Sequence, residues 1–254
     1  MPAVTDVPKS ARAPGDAPPA RPGRSRGPSF TTLKTTMALT GTIMAAFVTI
    51  HMVGNLKAFM GAQAYNSYAA WLREVAYPLL PHEGLLWILR VVLLACIGLH
   101  TAAGVELWRR GRASRGRFRR RGLPARATAA RSMLITGCLI AVFVVVHILD
   151  LTIGRLVASP SYTAPSHSDG ALHVSAYQNL VASLSRPGMA LFYSAIMLAI
   201  ALHLAQGLWN VVVDLGGTGE RLRRIWLAVA LAVAVAVALG NGALPLLILA
   251  GVIS

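Results

Sequence analysis

Charge is scarce in this chain, and so is cysteine. Of 254 residues, 13% are charged and 55% are hydrophobic, with a mean hydropathy of +0.59. That is too apolar for an ordinary soluble domain and points to a membrane protein. The two cysteines, Cys96 and Cys138, both lie in apolar runs, so no disulfide framework is implied. Residues 1–29 are rich in Pro, Ala and Arg and lack the apolar core of a secretory signal. They read as a disordered cytoplasmic tail. The net charge of +15 is unevenly spread, with ten arginines between Arg109 and Arg131. A basic block between apolar runs marks a cytoplasmic loop rather than a nucleic-acid patch, so no nucleic acid is expected as partner.

Long apolar runs are abundant. A bilayer core of about 30 Å needs roughly 20 residues of helix. Five stretches qualify: Leu33–Met60, Gly84–Trp108, Ser132–Gly154, Gly188–Val213 and Ile225–Ile253. Lipid offers no partner to free backbone N–H and C=O groups, so each run must be helix. The runs do not alternate as barrel strands do. The segments between them sort by charge. The N-terminal tail, the loop after the second span and the loop with Arg221, Arg223 and Arg224 are basic, while the segments near 61–83 and 155–187 are not. This places the N-terminus in the cytoplasm and the C-terminus outside. The outer loop starts irregularly, at Pro160, Pro165 and Asp169–Gly170, and Ala171–Leu184 is expected to form a short helix on the membrane surface.

Each of the first four spans contains one histidine: His51, His100, His147 and His203. One such residue could simply bond a neighbouring helix, but an ionisable group inside a membrane is a functional candidate. Depth sorts the four. His51 and His147 lie 18 and 15 residues beyond the inner ends of their spans, about 27 and 22 Å into the bilayer from the cytoplasmic side. His100 and His203 lie 16 and 15 residues beyond the outer ends of theirs, about 23 Å in from outside. Two pairs result, at two levels. Paired neutral imidazoles on facing helices are the ligand set of a six-coordinate haem iron. No C-x-x-C-H occurs, so two non-covalent b haems are expected rather than c-type haem. Gly54, Gly104 and Gly207 follow their histidines by three or four positions and would give space to a porphyrin edge or to a helix contact.

The chain also repeats itself. "MALTGTIMAAFVTIH" (37–51) overlies "MLITGCLIAVFVVVH" (133–147) at an offset of 96, with seven coincident residues ending on histidine. "LHTAAG" (99–104) and "LHLAQG" (202–207) make a shorter match. Both keep membrane direction, as parallel repeats do. The expected fold is an all-α integral membrane protein of five transmembrane helices. The first four form a haem-binding four-helix bundle with a pseudo-two-fold repeat, which again pairs His51 with His147 and His100 with His203.

From Thr31 to Ile253 the chain resembles the dihaem cytochrome b membrane anchor of succinate dehydrogenase, in the succinate:quinone oxidoreductase and fumarate reductase family. The resemblance rests on "HMVGNLKAFMGAQAYNSYAAWLR" (51–73), on the five spans and on "YSAIMLAIALHLAQGLWNVVVDLGG" (193–217). It implies a bacterial inner-membrane subunit with no succinate-oxidising site of its own. A flavoprotein subunit and an iron–sulfur subunit would dock on the cytoplasmic face. Electrons would pass through the His100–His203 haem, then the His51–His147 haem, to a quinone, expected to be menaquinone. At the outer edge Lys57, Trp71, Arg73 and Glu74 are the quinone-site candidates, Glu74 as proton carrier; the alternative for them is a solvated interfacial helix. Lys34 and Arg131 are candidates for haem propionates, or anchors of helix ends. The Arg109–Arg131 loop contacts partner or anionic lipid, or serves as a topology signal alone. Oligomerisation of the complex stays open. The family's H-L-x-H-G-x-x-S pattern is broken by Gln206 and Asn210, and Ala199–Ala205 carries no carboxylate. Rival readings are another dihaem cytochrome b, a histidine-relay proton transporter and an iron–sulfur centre using Cys96 with His100.

Overall fold

A computed structural model describes residues 27–114, 124–168 and 171–254; for 124–131, Ser168 and Ala171 it describes the backbone alone. The expected N-terminal tail, apart from its last three residues, and much of the Arg109–Arg131 loop lie outside the described residues.

The chain forms seven helices among the described residues: α1 (Phe30–Asn55), α2 (Ala62–Glu74), α3 (Gly84–Ala113), α4 (Pro124–His147), α5 (Ala176–Leu184), α6 (Pro187–Asp214) and α7 (Glu220–Leu249). Five stretches are long and apolar enough to cross a membrane: Phe30–Met60, Gly84–Ala113, Ser132–Ile153, Pro187–Asp214 and Glu220–Leu249. The protein is thus a multi-pass membrane protein by the length and composition of its helices. Local chemistry sets their ends. The Ser29 hydroxyl caps α1 by accepting the Thr32 N–H at 3.0 Å, filling one of the orphan donors of a helix start. Pro187 opens α6, where a missing N–H costs nothing.

Two spans change pitch near one end. After Asn55 the first tightens into a 3₁₀ segment, Leu56–Met60, and stops at Gly61, whose φ of 89° suits glycine. After His147 the third widens into a π-helical turn, Ile148–Ile153, closed by Gly154 in the left-handed region. The outer-loop expectation needs correction. Only Ala176–Leu184 is helix, while Ala171–His173 (β2) pairs antiparallel with Ser166–Ser168 (β1). Asp169 and Gly170, between the two strands, lie outside the described residues.

The histidine-bearing helices pack in the order α3–α1–α6–α4, and α7 covers α6 and α1. The repeat relates α1 to α4 and α3 to α6, so it would map the α1–α6 contact onto an α4–α3 contact. Among the described residues no comparable packing joins α3 to α4; the likeness of the two halves is broken there, while α7 lies on the α1–α6 side. α6 is the central helix, with seven buried residues, whereas α3 buries only Cys96 and Ala103. Leu94 on α3 is 72% exposed, an apolar surface suited to lipid rather than water. The largest core lies away from the N-terminal face, where Met52, Phe143, Tyr177, Leu184, Tyr193, Met197, Val237 and Leu244 meet.

Candidate functional site

The four intramembrane histidines form two pairs. His100 of α3 faces His203 of α6 with ring centres 6.4 Å apart and planes at 59°. His51 of α1 faces His147 of α4 at 5.9 Å and 76°. These are the partners that helix depth and the repeat both give. The former pair lies beside Thr40 on α1, 11 residues before His51. The two levels are therefore about 16 Å apart along that helix. The His100–His203 pair is the near pair, closer to the N-terminal face, and His51–His147 is the far pair.

Hydrogen bonds orient the near pair. The Thr40 hydroxyl lies 3.1 Å from Nδ1 of His100, and the Thr136 hydroxyl 3.0 Å from Nδ1 of His203. Each hydroxyl donates its proton one helical turn back, Thr40 to the Thr36 carbonyl at 2.6 Å and Thr136 to the Ser132 carbonyl at 2.7 Å. Each oxygen is then left to accept Nδ1–H, which puts the free electron pair of both imidazoles on Nε2. The next residue in each copy makes room. A Cβ on Gly41 would meet Cε1 of His100 at 3.2 Å, and one on Gly137 would meet Cε1 of His203 at 3.6 Å. Thr-Gly in the repeat thus seats the histidine of the next span in the chain, not its own.

Aromatic packing holds the far pair. Phe47 stacks on His51 and Phe143 on His147, each four residues earlier on the same helix with ring centres 5.5 Å apart. Tyr193 of α6 meets His147 edge-on at 6.1 Å. Nδ1 of His147 is buried and has no hydrogen-bond partner among the described residues. Three residues beyond His147, Asp150 is 1% exposed. Its carboxylate accepts from the hydroxyls of Tyr193 (3.0 Å) and Ser183 and pairs with the Arg186 guanidinium at 2.8 Å.

Among the described residues no group of three or more His, Cys, Asp or Glu side chains could hold a metal ion. A porphyrin changes that requirement, because it supplies four equatorial nitrogens and asks the protein for two axial ligands. Two imidazoles bound from opposite sides of one ion, at about 2.0 Å each, have ring centres about 6 Å apart. Both pairs have that spacing, and the near pair has the oriented Nε2 lone pairs that ligation needs.

The other expected site residues scatter. Gly54 lies against the Tyr68 ring, Gly104 opposite Met37, and Gly207 has nothing within 4 Å of a Cβ position. Lys57 sits over Tyr68, 5.4 Å from its centre, and Tyr68 stacks on Trp71. Arg73 instead bonds Glu83 at 3.1 Å, and Glu74 bonds His82 at 2.9 Å. The four quinone-site candidates therefore form two clusters, Lys57 with Trp71 through Tyr68, and Arg73 and Glu74 at the loop before α3. His82 also stacks on Tyr77 and meets His167 at 6.2 Å. Lys34 is engaged by Asp214 of α6 at 2.6 Å. The Arg131 side chain is outside the described residues. Burial, with a smaller contribution from Tyr68, pushes the Tyr65 phenol up to about 12.

Thr40, Gly41, Thr136, Gly137, Phe47 and Phe143 all stood in the aligned repeat, and their coincidence was the available signal for the roles they have here. Asp150 and Tyr193 had no such signal. At the offset of 96, Asp150 corresponds to Gly54, a departure from the repeat rather than a part of it. Compared with known protein families, curated proteins and solved structures, the chain matches none.

Proposed function

We propose that this chain is the dihaem cytochrome b membrane-anchor subunit of a succinate:quinone oxidoreductase in a bacterial inner membrane. The observation that carries the haem reading is the pair of facing imidazole couples, each with ring centres about 6 Å apart, at two levels of one set of apolar helices. The succinate:quinone assignment adds the resemblance of residues 51–73 and 193–217 to that family. When bound, two b haems supply one-electron transfer between a partner docked at the N-terminal face and a quinone, by expectation menaquinone, at the other.

The chain's own residues then divide the work. His100 and His203 would hold one iron and His51 and His147 the other. Thr40 and Thr136 fix the tautomer and plane of the near ligands and raise their basicity by accepting Nδ1–H. Lys57, whose ammonium lies over the Tyr68 ring that stacks on Trp71, would donate to a quinone carbonyl. Glu74, bonded to His82 and partly exposed, would pass a proton from water. At the N-terminal face Arg112 lies over Trp108 and Arg223 over Trp209. These cations, with Arg109, Arg110 and Arg224, form the docking surface for the iron–sulfur and flavoprotein subunits and for anionic lipid. Their side of the molecule is the cytoplasmic one under the positive-inside rule.

A reduced-minus-oxidised spectrum of the purified chain, with a haem-to-protein ratio, tests the reading. Two b haems per chain are expected. A protein free of chromophore would overturn it and favour a histidine relay for protons.

A further inference from the structure

The two imidazole pairs are steadied by different means. Each near histidine is fixed by a threonine hydroxyl. At the far level, Nδ1 of His147 has no hydrogen-bond partner among the described residues. Its ring is held by contacts: Phe143 on its face at 26°, Tyr193 across its edge at 60°, and His51 opposite at 76°. Phe143 is carried by the same helix as His147. Tyr193 comes from α6, so it carries a contact from that helix to the imidazole.

Tyr193 is itself held at its far end. Its hydroxyl donates to Oδ2 of Asp150, while its ring meets Phe143 at 5.2 Å and 82°. Asp150 is fixed in turn by the Ser183 hydroxyl and by Nη2 of Arg186. Arg186 also bonds the carbonyls of Val157 at 2.7 Å and Ser183 at 3.1 Å. The π-helical turn Ile148–Ile153 is what places Asp150 at this point, and such turns interrupt helices most often at functional positions. A carboxylate inside a membrane protein is costly and is kept for a reason.

We propose that Asp150 is a positioning residue of the far centre, acting through Tyr193 to set the plane of the His147 imidazole. The inference rests on the dihaem reading above and adds to it a residue that the repeat does not provide. Gly54 stands at the equivalent place in the first copy, so the device acts on one ligand of the far pair and not on the other.

The test is electron paramagnetic resonance of the oxidised protein, whose low-spin haem signals report the angle between axial imidazole planes, together with redox titration of both haems. Tyr193→Phe keeps the ring and removes only the bond to Asp150, without changing charge. Asp150→Asn weakens the same bond. The expected result is that Tyr193→Phe retains two haems, displaces the far haem signal and leaves the near one in place. Asp150→Asn should displace the far signal in the same sense and move the far potential more, because a negative charge is lost. An unchanged far signal in a haem-replete Tyr193→Phe protein would overturn the proposal, as would equal displacement of both signals. Should Asp150→Asn fail to accumulate, Tyr193→Phe decides alone. Wild-type protein lacking two b haems would instead defeat the underlying functional reading.

Discussion

Nδ1 of His100 lies 3.1 Å from the hydroxyl of Thr40, and 96 residues later Thr136 repeats the contact with His203 at 3.0 Å. Two helices that carry the far ligands therefore also orient the near ones. Outer-sphere bonds of this kind typically govern ligand affinity by 10- to 100-fold. Thr40→Val and Thr136→Val should each weaken retention of the near haem by roughly that factor and raise its midpoint potential, since a less basic imidazole favours the ferric state less. The far haem should hold its potential. Haem stoichiometry and redox titration read both.

The pairing itself is open to a simple check. His51→Ala and His147→Ala should each abolish one haem, the same one, and His100→Ala and His203→Ala the other. Absorption spectra of the four variants, with haem extraction, distinguish the two. Loss of a common haem from His51→Ala and His100→Ala would refute the ligand assignment.

Gly41 and Gly137 give a graded prediction. A Cβ at Gly41 would press on the His100 ring at 3.2 Å, while one at Gly137 would make an ordinary contact with His203 at 3.6 Å. Gly41→Ala should destabilise the protein by about 1–3 kcal/mol, the usual cost of overpacking, and lower near-haem content. Gly137→Ala should stay near wild type. Thermal denaturation in detergent, followed at the haem band, compares them.

Tyr65 predicts alkaline sensitivity. Its phenol bonds the Asn55 side chain at 3.4 Å, and burial raises its pKa to about 12. An acid that stays neutral in the folded state contributes stability that is complete below the unfolded value of about 10. That stability is lost as pH rises, because the unfolded phenol releases its proton first. The loss should reach about 1 kcal/mol per pH unit between about 10 and about 12. Tyr65→Phe should flatten that part of the melting-temperature profile.

The spans were legible in the sequence because hydropathy is a local property. The first begins at Phe30 rather than Leu33, and the fifth at Glu220 rather than Ile225, because the helices run on through polar residues that hydropathy leaves out of a span. What composition did not reveal was pitch. Nothing in "ILDLTI" announces a π-helical turn, which arises where Asp150 turns inward to Ser183, Arg186 and Tyr193, partners 33 to 43 residues away. Lys34 was read as a charge for a propionate or for the interface; its partner is Asp214, 180 positions on. Such pairs are set by the packing of helices, and no sequence window spans them. The histidines were legible because their residue type is rare inside membranes, and their threonine partners were visible only as a coincidence in the repeat.

α7 contributes no histidine, yet it is tied to the first span. Nδ2 of Asn55 donates to Oδ1 of Asn241 at 3.0 Å, and the Gly242 carbonyl accepts the Ser194 hydroxyl at 3.1 Å. Pro245, inside α7, has no N–H to offer the carbonyl four residues before it, that of Asn241. The Asn55–Asn241 bond joins residues 186 apart. Synthesis proceeds from the N-terminus, so the first helix is made long before its polar partner exists. The polar end of the first span therefore stays without this partner until residue 241, 186 positions later, has been made.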